Sequence, residues 1–195
     1  GESLIDMVPT EQGADLFEAC PGGCPYNSAI AAARLCVPTW FIGKTSIDFL
    51  GDKIIDKLKS SGVDLSMLSR SEQAVTLAFV ERGAGGNAKY AFYSEGAADR
   101  LYYPSDLPVT LPESCRFLLV GSISLAQEPS GSSICSLIER EHIARLVSFD
   151  PNIRPNLISD KVRYIERFEW ICQRSAIVKA SDSDLEWLYE MPGRK

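Results

Sequence analysis

Apolar residues recur along this chain in two periods, and the periods alternate. Leu4-Ile5-Asp6-Met7-Val8 is a short apolar run broken by one carboxylate, which predicts a strand. The run Ser28-Ala29-Ile30-Ala31-Ala32-Ala33-Arg34-Leu35 predicts a helix, entered through Pro25, a residue suited to a first helical turn. Residues 38–43 read as a buried strand ending at Gly43. Leu50, Ile54 and Leu58 repeat every four positions, predicting a helix over 48–61 that Gly62 ends. Residues 74–81 alternate, 83–87 have turn composition, and 89–94 resume alternation through Tyr90 and Phe92, so a β-hairpin is predicted. From 116 onward strands and helices take turns: strand 116–120, helix 130–143, strand 145–149, helix 160–172, strand 176–180, then a helix capped by Ser181. That order predicts right-handed βαβ units, hence an α/β fold with a mostly parallel sheet.

Composition narrows the function classes. The chain has 195 residues, enough for one domain with a real core. A net charge of −6 argues against a nucleic-acid partner. No apolar run reaches membrane-spanning length, and no signal peptide opens the sequence. The six cysteines are scattered without a Cys-x-x-Cys pair, which suits reduced thiols in a cytoplasmic protein. Cys20 and Cys24 do not assemble the ligands a zinc site needs. His142 is the one histidine and reads as a helix-terminal residue. Gly43-Lys44-Thr45 lacks the earlier glycine of a Walker loop, since Pro38 stands there. A dinucleotide-binding Gly-x-Gly-x-x-Gly is also missing, which disfavours a dehydrogenase.

Candidate chemistry gathers at strand and helix ends. In Pro21-Gly22-Gly23-Cys24-Pro25-Tyr26-Asn27, paired glycines permit close backbone approach to a ligand and lead into a helix whose first N–H groups can meet hydroxyl or anionic oxygens. The same spacing also suits a plain turn and a buried helix. Asp6 inside its apolar run is costly unless paired or facing a site. In open α/β sheets ligands bind beyond the carboxyl ends of the strands, where Asp6, Gly121-Ser122, Asp150, Asn152, Arg154, Lys179 and Ser181 all fall. A strand-end turn with a surface arginine, and plain helix capping at 181–184, are the simpler alternatives.

Gly22-Gly23-Cys24-Pro25-Tyr26-Asn27, the Ala-rich helix, Phe41-Ile42-Gly43, Asp48-Phe49-Leu50-Gly51 and Phe149-Asp150-Pro151-Asn152-Ile153-Arg154 together resemble the ribokinase-like (PfkB) carbohydrate kinases, the fructokinase branch in particular. The resemblance implies a mostly parallel, doubly wound sheet with helices on both faces, and a small β-sheet lid. Residues 1–195 would form an incomplete domain of that kind, with lid strands from about 7–20 and 74–102, the lid also clasping a second subunit as a homodimer. It implies an ATP-dependent kinase assisted by Mg²⁺, with fructose or a related ketose as acceptor; 2-keto-3-deoxygluconate and nucleosides are the alternatives. Asp6, Gly22, Gly23, Asn27 and Asn152 would bind the sugar, Arg154 the transferred phosphate, Lys179 and Ser181 the nucleotide, and Asp184 a Mg²⁺-bound water.

The sequence departs from the family pattern in places. Cys36 stands where glycine or serine is usual and Ser46 where glycine is, both in loops expected to need no positive φ, and Ser94 stands where relatives carry arginine. Asp184 replaces a glutamate. The family's Gly-Ala-Gly-Asp segment, which supplies the catalytic base, is not found, and the chain ends roughly three-fifths of the way through such a fold. A non-catalytic sugar-binding or regulatory module is therefore the reading from a different class.

Overall fold

The structure, a computed structural model, describes residues 1–11, 13–82 and 88–189. The chain divides into two compact units, Gly1–Tyr102 and Tyr103–Lys195.

The first unit is built on a four-stranded sheet of order β2-β1-β5-β6. Its strands are β1 (Leu4–Thr10), β2 (Gly13–Gly22), β5 (Leu77–Arg82) and β6 (Ala88–Tyr93). The β1–β2 and β5–β6 pairs are antiparallel hairpins, joined through a parallel β1–β5 contact. The turn expected at 83–87 lies outside the described residues. Helix α1 (Cys24–Arg34) leaves the end of β2, and α2 (Phe49–Ser60) follows β3 (Gly43–Ser46), which pairs in parallel with β4 (Leu68–Ser71). Ile5, Tyr26, Ile30, Phe41, Ile54 and Leu58 are buried in one core. The α2 stripe arises as its spacing requires, and Asp48 caps it by accepting from the N–H groups of Leu50 (2.9 Å) and Gly51 (3.0 Å).

Two expectations fail in this unit. The strand foreseen at 38–43 instead begins at Gly43; Trp40 makes only an isolated bridge to Asp64, and Phe41 serves the core. Pro38 has no N–H to give a ladder, so pairing starts further on. Cys36 does take a positive φ, 62°, as the left-handed residue after α1. Its N–H donates to Ala33 O and that of Val37 to Ala32 O, a Schellman ending normally made with glycine. Cys36→Gly should therefore stabilise the protein by about 1 kcal/mol, read by urea denaturation.

Asp99, 5% exposed, accepts a 2.7 Å hydrogen bond from Thr76 Oγ1. Burial raises its pKa from the ordinary 3.8 to about 6; the Thr76 bond offsets part of this and the nearby Glu2 charge adds to it. The folded state thus holds this proton more tightly than the unfolded chain. Stability is lost as pH rises from about 4 through 6, and the buried charge costs about 3 kcal/mol above that interval. Asp99→Asn should raise the melting temperature at pH 7.5 and flatten the stability gain between pH 7 and 5, with thermal unfolding at both pH values as the check.

The second unit carries a parallel three-stranded sheet, β7 (Phe117–Gly121), β8 (Leu146–Asp150) and β9 (Ile177–Val178), in that order. Helices α3 (Ser130–Glu141) and α4 (Lys161–Cys172) make the crossovers, and α5 (Asp182–Tyr189) follows β9. Ile134, Leu137 and Ile138 are buried as their spacing predicts, and His142 caps the carboxyl end of α3. β9 is shorter than foreseen, although Ala176 and Lys179 still donate to Val147 O and Phe149 O. Among the described residues four of the six strand pairs are parallel, the two exceptions being the hairpins. No helix among the described residues is long and apolar enough to cross a membrane.

Candidate active site

In the first unit, Asp6 lies mid-strand on β1, between Cys20 of β2 and Ala78 of β5. Its carboxylate rests against Gly22: a Cβ on that glycine would stand 2.1 Å from Asp6 Oδ2. Gly23 follows as the residue preceding α1, at φ 113°, a conformation other residues rarely adopt. The paired glycines thus have separate causes, one steric and one conformational. Asn27, exposed, projects from the first turn of α1, where its own N–H closes the first helical bond to Gly23 O (2.9 Å). The structure therefore brings Asp6 and Gly22 into contact, with Gly23 and Asn27 continuing the same chain bend.

One residue of this bend escaped the sequence. Glu2, 1% exposed, accepts from the Cys24 N–H through Oε1 at 3.2 Å. The helix terminus expected to offer its amides to a ligand has that N–H taken, and Pro25 has none to offer. The only signal was an acid beside an apolar run. Ser94 is buried just past β6, its carbonyl accepting from Ala97 N–H. Burial raises the Cys20 thiol pKa, the Glu18 charge adds to this, Lys53 opposes it, and Asp6 adds least.

In the second unit the candidate residues gather at the carboxyl ends of β7, β8 and β9. Gly121 and Asp150 are partners in register. Just beyond each strand, a residue other than glycine turns left-handed: Ser122 at φ 63° and Asn152 at φ 38°. The two meet, Asn152 Nδ2 donating to Ser122 Oγ at 3.3 Å. Backbone strain of this kind gathers at functional sites. Arg154 folds over its own turn and donates to the carbonyls of Asn152 (3.2 Å) and Ile153 (3.0 Å). Lys179 Nζ is 3.0 Å from Asp150 Oδ2. Ser181 and Asp184 form a reciprocal cap on α5: Asp184 Oδ2 accepts the Ser181 N–H (2.9 Å) and Oγ–H (2.7 Å), and Asp184 N–H donates to Ser181 Oγ (3.2 Å). Asp184 Oδ1 also accepts the Ile153 N–H at 2.7 Å. Asn152, Arg154, Ser181 and Asp184 are thus linked through Ile153, and Lys179 pairs with Asp150 at the end of the neighbouring strand. Among the described residues no cluster of three or more His, Cys, Asp or Glu is arranged to hold a metal ion.

Comparison with known proteins gives a consistent answer. The chain is 42% identical over 189 residues to a fructokinase of Rhizobium leguminosarum bv. trifolii, an alignment covering 96% of this chain and 57% of that one. A fructokinase of Xylella fastidiosa solved with bound ATP superposes with a TM-score of 0.87 at 29% identity, over 97% of this chain and 58% of its own. A Vibrio cholerae fructokinase bound to fructose, ADP and calcium ion superposes with a TM-score of 0.85, also at 29% identity, over 96% and 60%. The chain spans about three-fifths of the length of these relatives, and it has their ribokinase-like fold. The pfkB family carbohydrate kinase profile matches residues 1–195, so the chain belongs to that family.

Proposed function

We propose that this chain is the sugar- and phosphate-handling portion of a kinase that transfers the γ-phosphoryl group of ATP to a hydroxyl of fructose or a related ketose. A sugar hydroxyl oxygen attacks phosphorus as its proton passes to a base, the bond to the bridging oxygen breaks, and ADP leaves. The observation that carries this reading is the Asp6 carboxylate seated on Gly22, one residue before the Gly23 bend and the first turn bearing Asn27. A carboxylate accepts from two adjacent hydroxyls and an amide both donates and accepts, which is what a polyol requires. Asn152 contributes to the sugar's orientation and Arg154 meets the phosphoryl oxygens, being permanently charged with paired donors. Lys179 and Ser181 serve the nucleotide. The Vibrio relative with fructose and ADP supports the choice of substrates.

Mg²⁺ would supply charge neutralisation for the phosphates. Asp184 does not fit the water-holding role for it: the residue is 4% exposed, and three donors occupy its two oxygens.

The β2-β1-β5-β6 sheet is read as the lid within one domain over 1–195, and its outer face suits a second copy of the chain. Phe17, Phe79 and Tyr93 pack edge to face across it, with Tyr93 65% exposed. Six free cysteines suit a reducing, cytoplasmic setting.

The test is ADP release by the intact protein with ATP and Mg²⁺, on fructose, 2-keto-3-deoxygluconate and a nucleoside in parallel. Turnover on fructose is expected. Binding of fructose without turnover would favour the non-catalytic module, and turnover on another acceptor alone would move the substrate.

A further inference from the structure

The Asp184 carboxylate spans 31 residues of sequence to reach one backbone amide, that of Ile153. Four positions further along α5, Leu188 packs with the Ile153 side chain, together with Tyr164 and Ile165. Residues four apart share a helix face, so α5 grips Ile153 twice, by its N–H and by its side chain. Asp184 and Leu188 are 4% and 7% exposed, so both grips are buried. Ile153 is itself the link between Asn152, held left-handed, and Arg154, whose guanidinium folds onto the carbonyls of that same turn. Freeing the Ile153 amide would leave a buried donor unsatisfied and release the turn that aims Arg154.

We infer that Asp184 is a positioning residue: through the Ile153 amide it fixes where Arg154 presents its guanidinium to an anionic oxygen. The inference rests, for its functional half, on the proposal that Arg154 meets phosphate. It gives the short acid a reason to be there. Its carboxylate ties α5 to the strand-end turn, while its other oxygen accepts the Ser181 backbone N–H, a contact that Ser181→Gly keeps.

The experiment is amide hydrogen exchange by NMR on the intact protein, wild type against Asp184→Asn and Ser181→Gly, with inorganic phosphate and Mg²⁺ added separately. In Asp184→Asn the Ile153 N–H should exchange at least about tenfold faster, the size of effect a charge-assisted hydrogen bond supports, while amides of β7 and β8 keep their rates. The phosphate-induced shift of the Arg154 Nε–H should shrink severalfold. Ser181→Gly, which keeps the carboxylate and a glycine cap, should leave Ile153 exchange within about twofold of wild type. Should Asp184→Asn not fold, the wild type decides: Ile153 must exchange more slowly than Asn152 and Arg154. Unchanged Ile153 exchange, a uniform loss of protection across the unit, or a Mg²⁺-dependent shift at Asp184 without nucleotide would each overturn the inference. If wild-type Arg154 shows no phosphate shift, the phosphate assignment falls, while local loss of protection in Asp184→Asn still upholds the clasp.

Discussion

Gly121→Ala is expected to cost at least about 3 kcal/mol of stability and to leave little folded protein at 37 °C. A Cβ at that position would stand 1.8 Å from the Asp150 carbonyl oxygen and 2.8 Å from its carbon. Both are backbone atoms of the neighbouring strand, so no rotamer change relieves the clash. β7 and β8 would have to separate at their carboxyl ends, where Gly121 and Asp150 pair. Ser122 and Asn152 would lose their contact with them. Urea denaturation followed by tryptophan fluorescence checks this; a change under about 1 kcal/mol would mean that the strand ends yield easily.

Gly22→Ala should have the opposite profile, with small effects on stability and large ones on activity. Its Cβ would meet the Asp6 carboxylate, 2.1 Å from Oδ2 and 3.0 Å from Cγ. A side-chain end can swing away, so the fold should lose no more than about 1 kcal/mol. The carboxylate would then no longer stand where a polyol needs it. A misplaced partner for buried hydroxyls costs about 10²–10³ in kcat/KM, or about 3–4 kcal/mol. Steady-state kinetics on fructose beside a thermal melt separates the two effects. Equal losses in both would make Gly22 a packing residue only.

Much of the fold was legible because local chemistry and global packing agree. α2 has an apolar residue at every fourth position and an acid at its cap, and strands 77–82 and 88–93 alternate on both sides of a glycine-rich stretch of sequence. What escaped were matters that need a distant partner. Pro38-Thr39-Trp40-Phe41 looks like a strand by apolarity, but the ladder forms where β4 lies alongside, from Gly43. Cys36 takes a glycine's conformation because the α1 ending demands it, whatever residue is there. β2 extends through a polar stretch because β1 pairs with it, from Leu4 opposite Gly22 to Thr10 opposite Gly13.

The candidate site divides along the same line. Asp6, Gly22, Gly23 and Asn27 could be named because glycine pairs and a lone acid in an apolar run are unusual in sequence. Glu2 could not, since its meaning lies in the Cys24 amide it faces. Asp184 resembles a metal-side acid in sequence, but one of its oxygens serves the Ile153 amide, which no spacing rule connects to it.

In the proposed site Asp6 bears the sugar. The direct measurement is calorimetric titration of fructose into the intact protein and into Asp6→Ala, with melting temperatures recorded alongside. Saturable binding to the wild type, weakened at least about a hundredfold in a variant that melts normally, is the predicted result. Equal affinity in the two proteins, or no fructose binding to the wild type, would contradict it.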